Sequence, residues 1–196
     1  EEMHKQLSTI THLPYGLFLV TGPTGSGKTT TLYALLKELV GTQRHIITLE
    51  DPVEYEIKGI VQSEIEPEHG YSFASGLRSI LRHDPNVILV GEMRDLETIS
   101  LAITAAETGH LVYATLHTND AAQTINRIID SFPGAQQDQI RTQLASSLIG
   151  VFSQRLVPRI SGGMVPVYEL MITNSAIQNL IREKRTHEIN TVIETG

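Results

Sequence analysis

The stretch Gly22-Pro23-Thr24-Gly25-Ser26-Gly27-Lys28-Thr29 fits G-x-x-x-x-G-K-[ST], a pattern that dictates its own surroundings. A phosphate cradle forms only where a strand delivers a glycine-rich turn whose backbone N–H groups converge at a helix N-terminus, where the dipole favours anions. The flanks comply. Apolar residues 17–20 predict the strand, and residues 30–40 predict the helix. In that setting the loop from Gly22 to Thr30 wraps the phosphates, Lys28 reaches the β/γ-phosphates and the Thr29 hydroxyl ligates Mg²⁺. The first expectation is therefore a site for a nucleoside triphosphate.

Composition narrows the partners. A net charge of −7 argues against a general nucleic-acid binder, since phosphate neutralisation usually shows as a basic surplus. The absence of cysteine rules out disulfides and thiolate metal sites and suits a reducing compartment. No apolar run approaches the roughly 20 residues a spanning helix needs, so membrane association would go through a partner. The chain opens without an initiator Met, and the expectation is a piece of a longer protein.

Helix-like and strand-like segments alternate after the loop, which predicts an α/β fold with a mostly parallel sheet covered on both faces. Further strands are expected at 45–49, 87–90 and 111–116, and helices at 72–82, 96–108, 121–130 and 136–150. Pro85 closes the first of these helices and Gly109 the second, while Asp120 is placed to cap the third. Residues 151–157 and 165–171 face each other across Ser161-Gly162-Gly163, a hairpin signal. Residues 1–10 are helix-like, and a helical tail covers 175–182 and 186–194. Neither a repeat nor a linker divides the chain, so residues 1–196 read as one domain.

In open parallel sheets ligands bind beyond the C-terminal strand ends. Three such ends carry polar groups: the acidic run Glu50-Asp51-Pro52-Val53-Glu54, then Glu92, then His117. Triphosphate hydrolysis asks the protein for Mg²⁺, charge stabilisation and a residue that orients or deprotonates water. Glu50, Asp51 and Glu54 all remain open for the base. Glu92 sits where a Walker B acid belongs, but Gly91 occupies a position where many such enzymes place aspartate, which points to metal contact through water. His110 and His117 lie on opposite faces of a strand and roughly 20 Å apart, which opposes joint metal ligation. His117 instead suits a γ-phosphate sensor, and His110 a structural or subunit-contact role.

Taken together, four boxes resemble those of the type II/type IV secretion ATPases. They are the loop at 22–29, Leu49-Glu50-Asp51-Pro52-Val53-Glu54-Tyr55, Leu89-Val90-Gly91-Glu92-Met93-Arg94-Asp95, and Gly109-His110-Leu111-Val112-Tyr113-Ala114-Thr115-Leu116-His117-Thr118. They run in the family's order as Walker A, Asp box, Walker B and His box, and Gly91-Glu92 is the family's own Walker B form. Ala176-Ile177-Gln178-Asn179-Leu180-Ile181-Arg182-Glu183 resembles a signature of the pilus retraction branch, with Gln178 in place of arginine. The short segment 159–164, without cysteine, lacks the zinc insert usual in the extension and secretion branches.

The resemblance implies a RecA-like P-loop core with a mostly parallel sheet, a small hairpin and C-terminal helices. It implies ATP and Mg²⁺ as cofactors, Glu54 as general base and Glu92 as organiser of Mg²⁺ and water. It also implies a hexameric ring acting on an inner-membrane platform protein, hence a cytoplasmic protein peripheral at that membrane. A PAS-like N-terminal domain of the family, absent from this chain, would supply arginines, so this chain alone is expected to bind ATP and hydrolyse it poorly. Pilus assembly or type II secretion, and a nucleotide-binding accessory ring subunit, are the other readings.

Overall fold

In the computed structural model, which describes residues 2–195, consecutive side chains of the first strand enter different cores. Leu17 and Leu19 join one apolar cluster, and Phe18 and Val20 join another. Alternation of this kind follows from the two-residue period of a strand, and burial on both faces explains why the run is continuously apolar.

The chain begins with α1 (Glu2–Thr11), β1 (Gly16–Thr21), α2 (Lys28–Leu39), β2 (Ile46–Glu50) and β3 (Val61–Glu64). It continues through α3 (Phe73–Ile80), β4 (Val87–Val90), α4 (Leu96–Glu107), β5 (Leu111–Leu116), α5 (Ala121–Asp130) and α6 (Gly134–Ser147). The hairpin of β6 (Leu148–Pro158) and β7 (Met164–Ile172) follows, then α7 (Ser175–Arg182) and α8 (Ile189–Thr195).

The strands form one sheet in the order β3-β2-β4-β5-β1-β6-β7, and every neighbouring pair is parallel except the terminal hairpin. Helices α1 and α2 cover one face through Leu7, Ile10, Leu32, Leu36 and Leu39. The remaining six helices cover the other through residues such as Leu77, Ile103, Ile125, Leu144, Ile181 and Ile189. Each fully buried aliphatic side chain contributes about 1.5–3 kcal/mol relative to exposure. β1 therefore sits between two filled layers and between two strands, and the loop that follows it starts from a fixed point.

Side chains of Ser72, Asp95, Asp120 and Asn174 accept hydrogen bonds from the first turns of α3, α4, α5 and α7. Such caps satisfy N–H groups that have no partner inside the helix. The expected cap at Asp120 is among them, and Gly109 follows α4 with φ +106°.

The structure departs from the sequence expectation in three places. Residues 148–150, read as the end of a helix, are the start of β6, because Leu148 and Gly150 pair with Leu17 and Phe18. The expected helix at 72–82 ends at Ile80 and finishes as a 3-10 turn at Leu81–His83. β3 was not anticipated at all: its residues Val-Gln-Ser-Glu are half-exposed at the sheet edge and show no apolar run. The helix read at 1–10 is present from Glu2, with Glu1 outside the described residues.

Candidate functional site

The glycine-rich loop leaves the end of β1 and enters α2 at Lys28, as its pattern requires. Gly22 has φ +145°, and a Cβ there would lie 2.1 Å from the carbonyl oxygen of Gln154 on β6. Only glycine fits that contact. The hydroxyls of Thr21 and Ser153 lock the same strand ends together at 2.8 Å. Lys28 Nζ donates to the carbonyls of Gly22 at 2.8 Å and Pro23 at 3.0 Å, and lies 3.4 Å from His117 Nδ1. Burial lowers the affinity of this amine for its proton, and the nearby Glu92 carboxylate opposes that shift.

Glu92 and His117 project from the ends of adjacent strands β4 and β5. Glu92 Oε1 meets His117 Nε2 at 3.1 Å, and Oε2 accepts from Arg94 Nε at 2.6 Å. Arg94 also reaches Asp51 at 3.2 Å, so a chain of charges runs from the His box to the acidic loop. The hydrogen bond it donates to Glu92 holds the Arg94 guanidinium more firmly protonated than usual. Gly91 has a steric explanation: a Cβ would stand 2.9 Å from the Leu49 carbonyl on β2, so the aspartate common in other Walker B motifs has no room here.

The three acids left open by sequence separate clearly. Glu50 is buried and accepts from the hydroxyls of Tyr33 and Thr48 and, at 3.2 Å, from Gln62 Nε2. Asp51 is held by Arg94. Glu54 is exposed on the loop that leads to β3, and the anchors of that loop are side chains from two flanking elements. Tyr33 Oη accepts the Glu54 N–H at 3.3 Å, Gln62 Oε1 accepts the Ile57 N–H at 2.6 Å, and Gln62 Nε2 donates to the Tyr55 carbonyl at 3.1 Å. Tyr55 in turn packs edge-on against Tyr33 at 4.8 Å. Burial, followed by the bond to Glu50, keeps the Tyr33 phenol protonated far above its usual range.

Tyr33→Phe leaves a buried carboxylate one donor short and releases the Glu54 amide. We expect it to destabilise the protein by about 1–3 kcal/mol in urea unfolding. Unchanged stability would show that water replaces the hydroxyl.

An open cavity of about 790 Å³ collects these groups. Thr24 to Thr30, Glu54, Glu92 and His117 all line it, whereas Gly22 does not and Pro23 lines a neighbouring cavity with Asn119 and Gln154. His110 stands apart at the opposite end of β5, its Nδ1 bonded to the Ala105 carbonyl at 3.0 Å. The exposed Thr29 hydroxyl and the Glu92 carboxylate are hard oxygen donors of the kind Mg²⁺ takes alongside water and phosphate. Among the described residues no group of three His, Cys, Asp or Glu side chains forms a metal cage.

Tyr33, Gln62 and Arg94 were not singled out by sequence. Arg94 lay inside a recognised box, whereas Tyr33 and Gln62 carry no local signal and matter only through contacts made across the fold.

Several known proteins are similar to this chain in sequence and fold. A type IV pilus retractation ATPase, PilT, of Pseudomonas aeruginosa is 51% identical over 199 aligned residues, covering 100% of this chain and 57% of the relative. Type II secretion system protein E of Dickeya dadantii is 52% identical over 157 residues, covering 80% of this chain and 30% of the relative. A crystal structure of the pilus retraction motor PilT with bound ADP superposes with a TM-score of 0.90 at 50% identity, over 97% of this chain and 57% of the other. The chain thus spans about half the length of the retraction relatives it matches. The model of the family described as type II/IV secretion system protein matches residues 1–163, and the chain belongs to that family.

Proposed function

We propose that this chain is the ATP-binding part of a motor that retracts type IV pili. The observation that carries the reading is that His117 bridges Lys28 at 3.4 Å and Glu92 at 3.1 Å on a cavity that Glu54 also lines. A phosphoryl group entering there would meet the backbone N–H groups at the start of α2, the Lys28 ammonium and the imidazole of His117. Glu54 takes a proton from the attacking water, and Glu92 orients that water. Mg²⁺, held by Thr29 and through water by Glu92, would neutralise charge on the phosphates. The family resemblance extends the proposal to a hexameric ring in the cytoplasm, a PAS-like N-terminal domain and an inner-membrane platform protein that receives the work.

The alignment of the retraction relative at 51% identity over the whole chain supports retraction over secretion, where one relative matches 80% of the chain at 52% and another 93% at 41%. The equal identity of the first secretion relative keeps pilus assembly or secretion as the second reading. A deletion strain distinguishes them: surplus pili without twitching indicate retraction, whereas bald cells indicate assembly.

Lys28→Ala tests the cradle itself. Loss of a charge-assisted contact to phosphate should weaken nucleotide binding roughly 10- to 100-fold in a direct titration. Wild-type affinity in this variant would remove Lys28 from the site.

A further inference from the structure

Gln154 is a buried amide on β6 that none of the four boxes contains. Its Nε2 donates to the Ser26 carbonyl at 2.6 Å, and its Oε1 accepts from the Thr31 hydroxyl at 2.6 Å. The orientation of the amide is fixed by chemistry: a carbonyl is only an acceptor, so the NH₂ must face Ser26 and the oxygen must face Thr31. We infer that Gln154 is a positioning residue for nucleotide binding, turning the Ser26–Gly27 peptide so that its N–H faces the phosphates.

The argument rests on the planarity of one peptide bond. In a trans peptide the C=O and the following N–H point in opposite directions. Pinning the Ser26 oxygen toward β6 therefore aims the Gly27 N–H away from β6, toward the cavity that Gly27 lines. Gly27 has φ +89° and precedes the first residue of α2, where N–H groups have no side-chain cap. A Cβ on Gly27 would come 3.0 Å from Gln154 Nε2, so the loop lies directly against the amide. Thr31 completes the arrangement from within α2, making a closed path of loop, strand and helix. The backbone of Gln154 serves the same loop at its other end, where its carbonyl excludes any side chain from position 22.

This inference rests on the nucleotide reading above and is tested by titrating a fluorescent ADP analogue into the full-length protein. Gln154→Glu keeps the shape and replaces the donor with an acceptor. At about pH 8 the introduced carboxylate opposes the Ser26 carbonyl, and affinity is expected to fall about 10- to 100-fold relative to wild type. A buried carboxyl facing a carbonyl holds its proton to higher pH than usual. As pH falls toward about 5.5 the group gains a proton, regains a donor, and the deficit relative to wild type narrows.

Gln154→Met removes both bonds at similar volume, so its deficit stays constant with pH. A purely structural role would give both variants the same flat profile, and that result, or wild-type affinity in both, overturns the inference. Should Gln154→Glu fail to fold, Thr31→Val carries the test: it removes the bond that orients the amide, and a loss of about 2- to 10-fold is expected. Wild-type affinity there overturns the inference as well. Failure of the wild-type protein to bind the analogue is a different result, and it overturns the nucleotide reading itself.

Discussion

Replacing Glu54 by glutamine is expected to slow phosphate release by the full-length protein about 10²- to 10⁴-fold while nucleotide affinity is retained. The amide has the size of the carboxylate and cannot take a proton from water. Its loop stays in place, because the anchors are the backbone N–H groups of Val53, Glu54 and Ile57 rather than the Glu54 side chain. The same reasoning demotes the neighbouring acids. Glu50 is buried beneath Tyr33, Thr48 and Gln62 and already accepts three hydrogen bonds from them. Asp51 is tied to Arg94, and Glu92 is shared between Arg94 and His117. Among the described acids lining the cavity, Glu54 is the one left free to meet a water. Undiminished hydrolysis in Glu54→Gln would move the base to Glu92.

Residues 1–196 on their own are expected to bind ATP and to turn it over about 10³- to 10⁵-fold more slowly than the full-length protein, the range associated with an arginine finger. Among the described residues lining the cavity, Arg94 carries the guanidinium, and it is already committed to Glu92 and Asp51. Under the proposal, charge developing on the transferred phosphoryl group is met by a donor from the N-terminal domain. Phosphate release measured on both proteins at saturating ATP decides the matter. Equal rates would show that Arg94 or Lys28 suffices.

How far the sequence could be read depended on whether a signal was local. The strand, glycine turn and helix around Lys28 announce themselves within a few residues, and so do the apolar runs that become β4 and β5. The reading of His110 and His117 as a strand's length apart followed from their spacing alone, and the two rings do sit at opposite ends of β5 with different partners. β3 was illegible because an edge strand with half-exposed Gln62 and Ser63 has no hydrophobic pattern to offer. The helix read through residues 148–150 failed because Leu-Ile-Gly continues an apolar rhythm, and only pairing with β1 makes it strand. Glu50 resembled its acidic neighbours in sequence. Its burial became visible only once Tyr33, 17 positions earlier, stood over it.

The sheet order gives the two halves of the site unequal stiffness. The cradle grows from β1, held by backbone ladders on both sides and by apolar layers above and below. The Glu54 loop hangs between β2 and the four-residue edge strand β3, fastened by the Tyr33 phenol and by the Gln62 amide and Glu64 carboxylate of β3. Such a segment can detach without breaking the central ladder, and its amides belong to the fast-exchanging class whereas those of Leu17–Val20 belong to the slow. The phosphate grip is thereby the stiff jaw of the site, and the acid stands on the lightly fastened one.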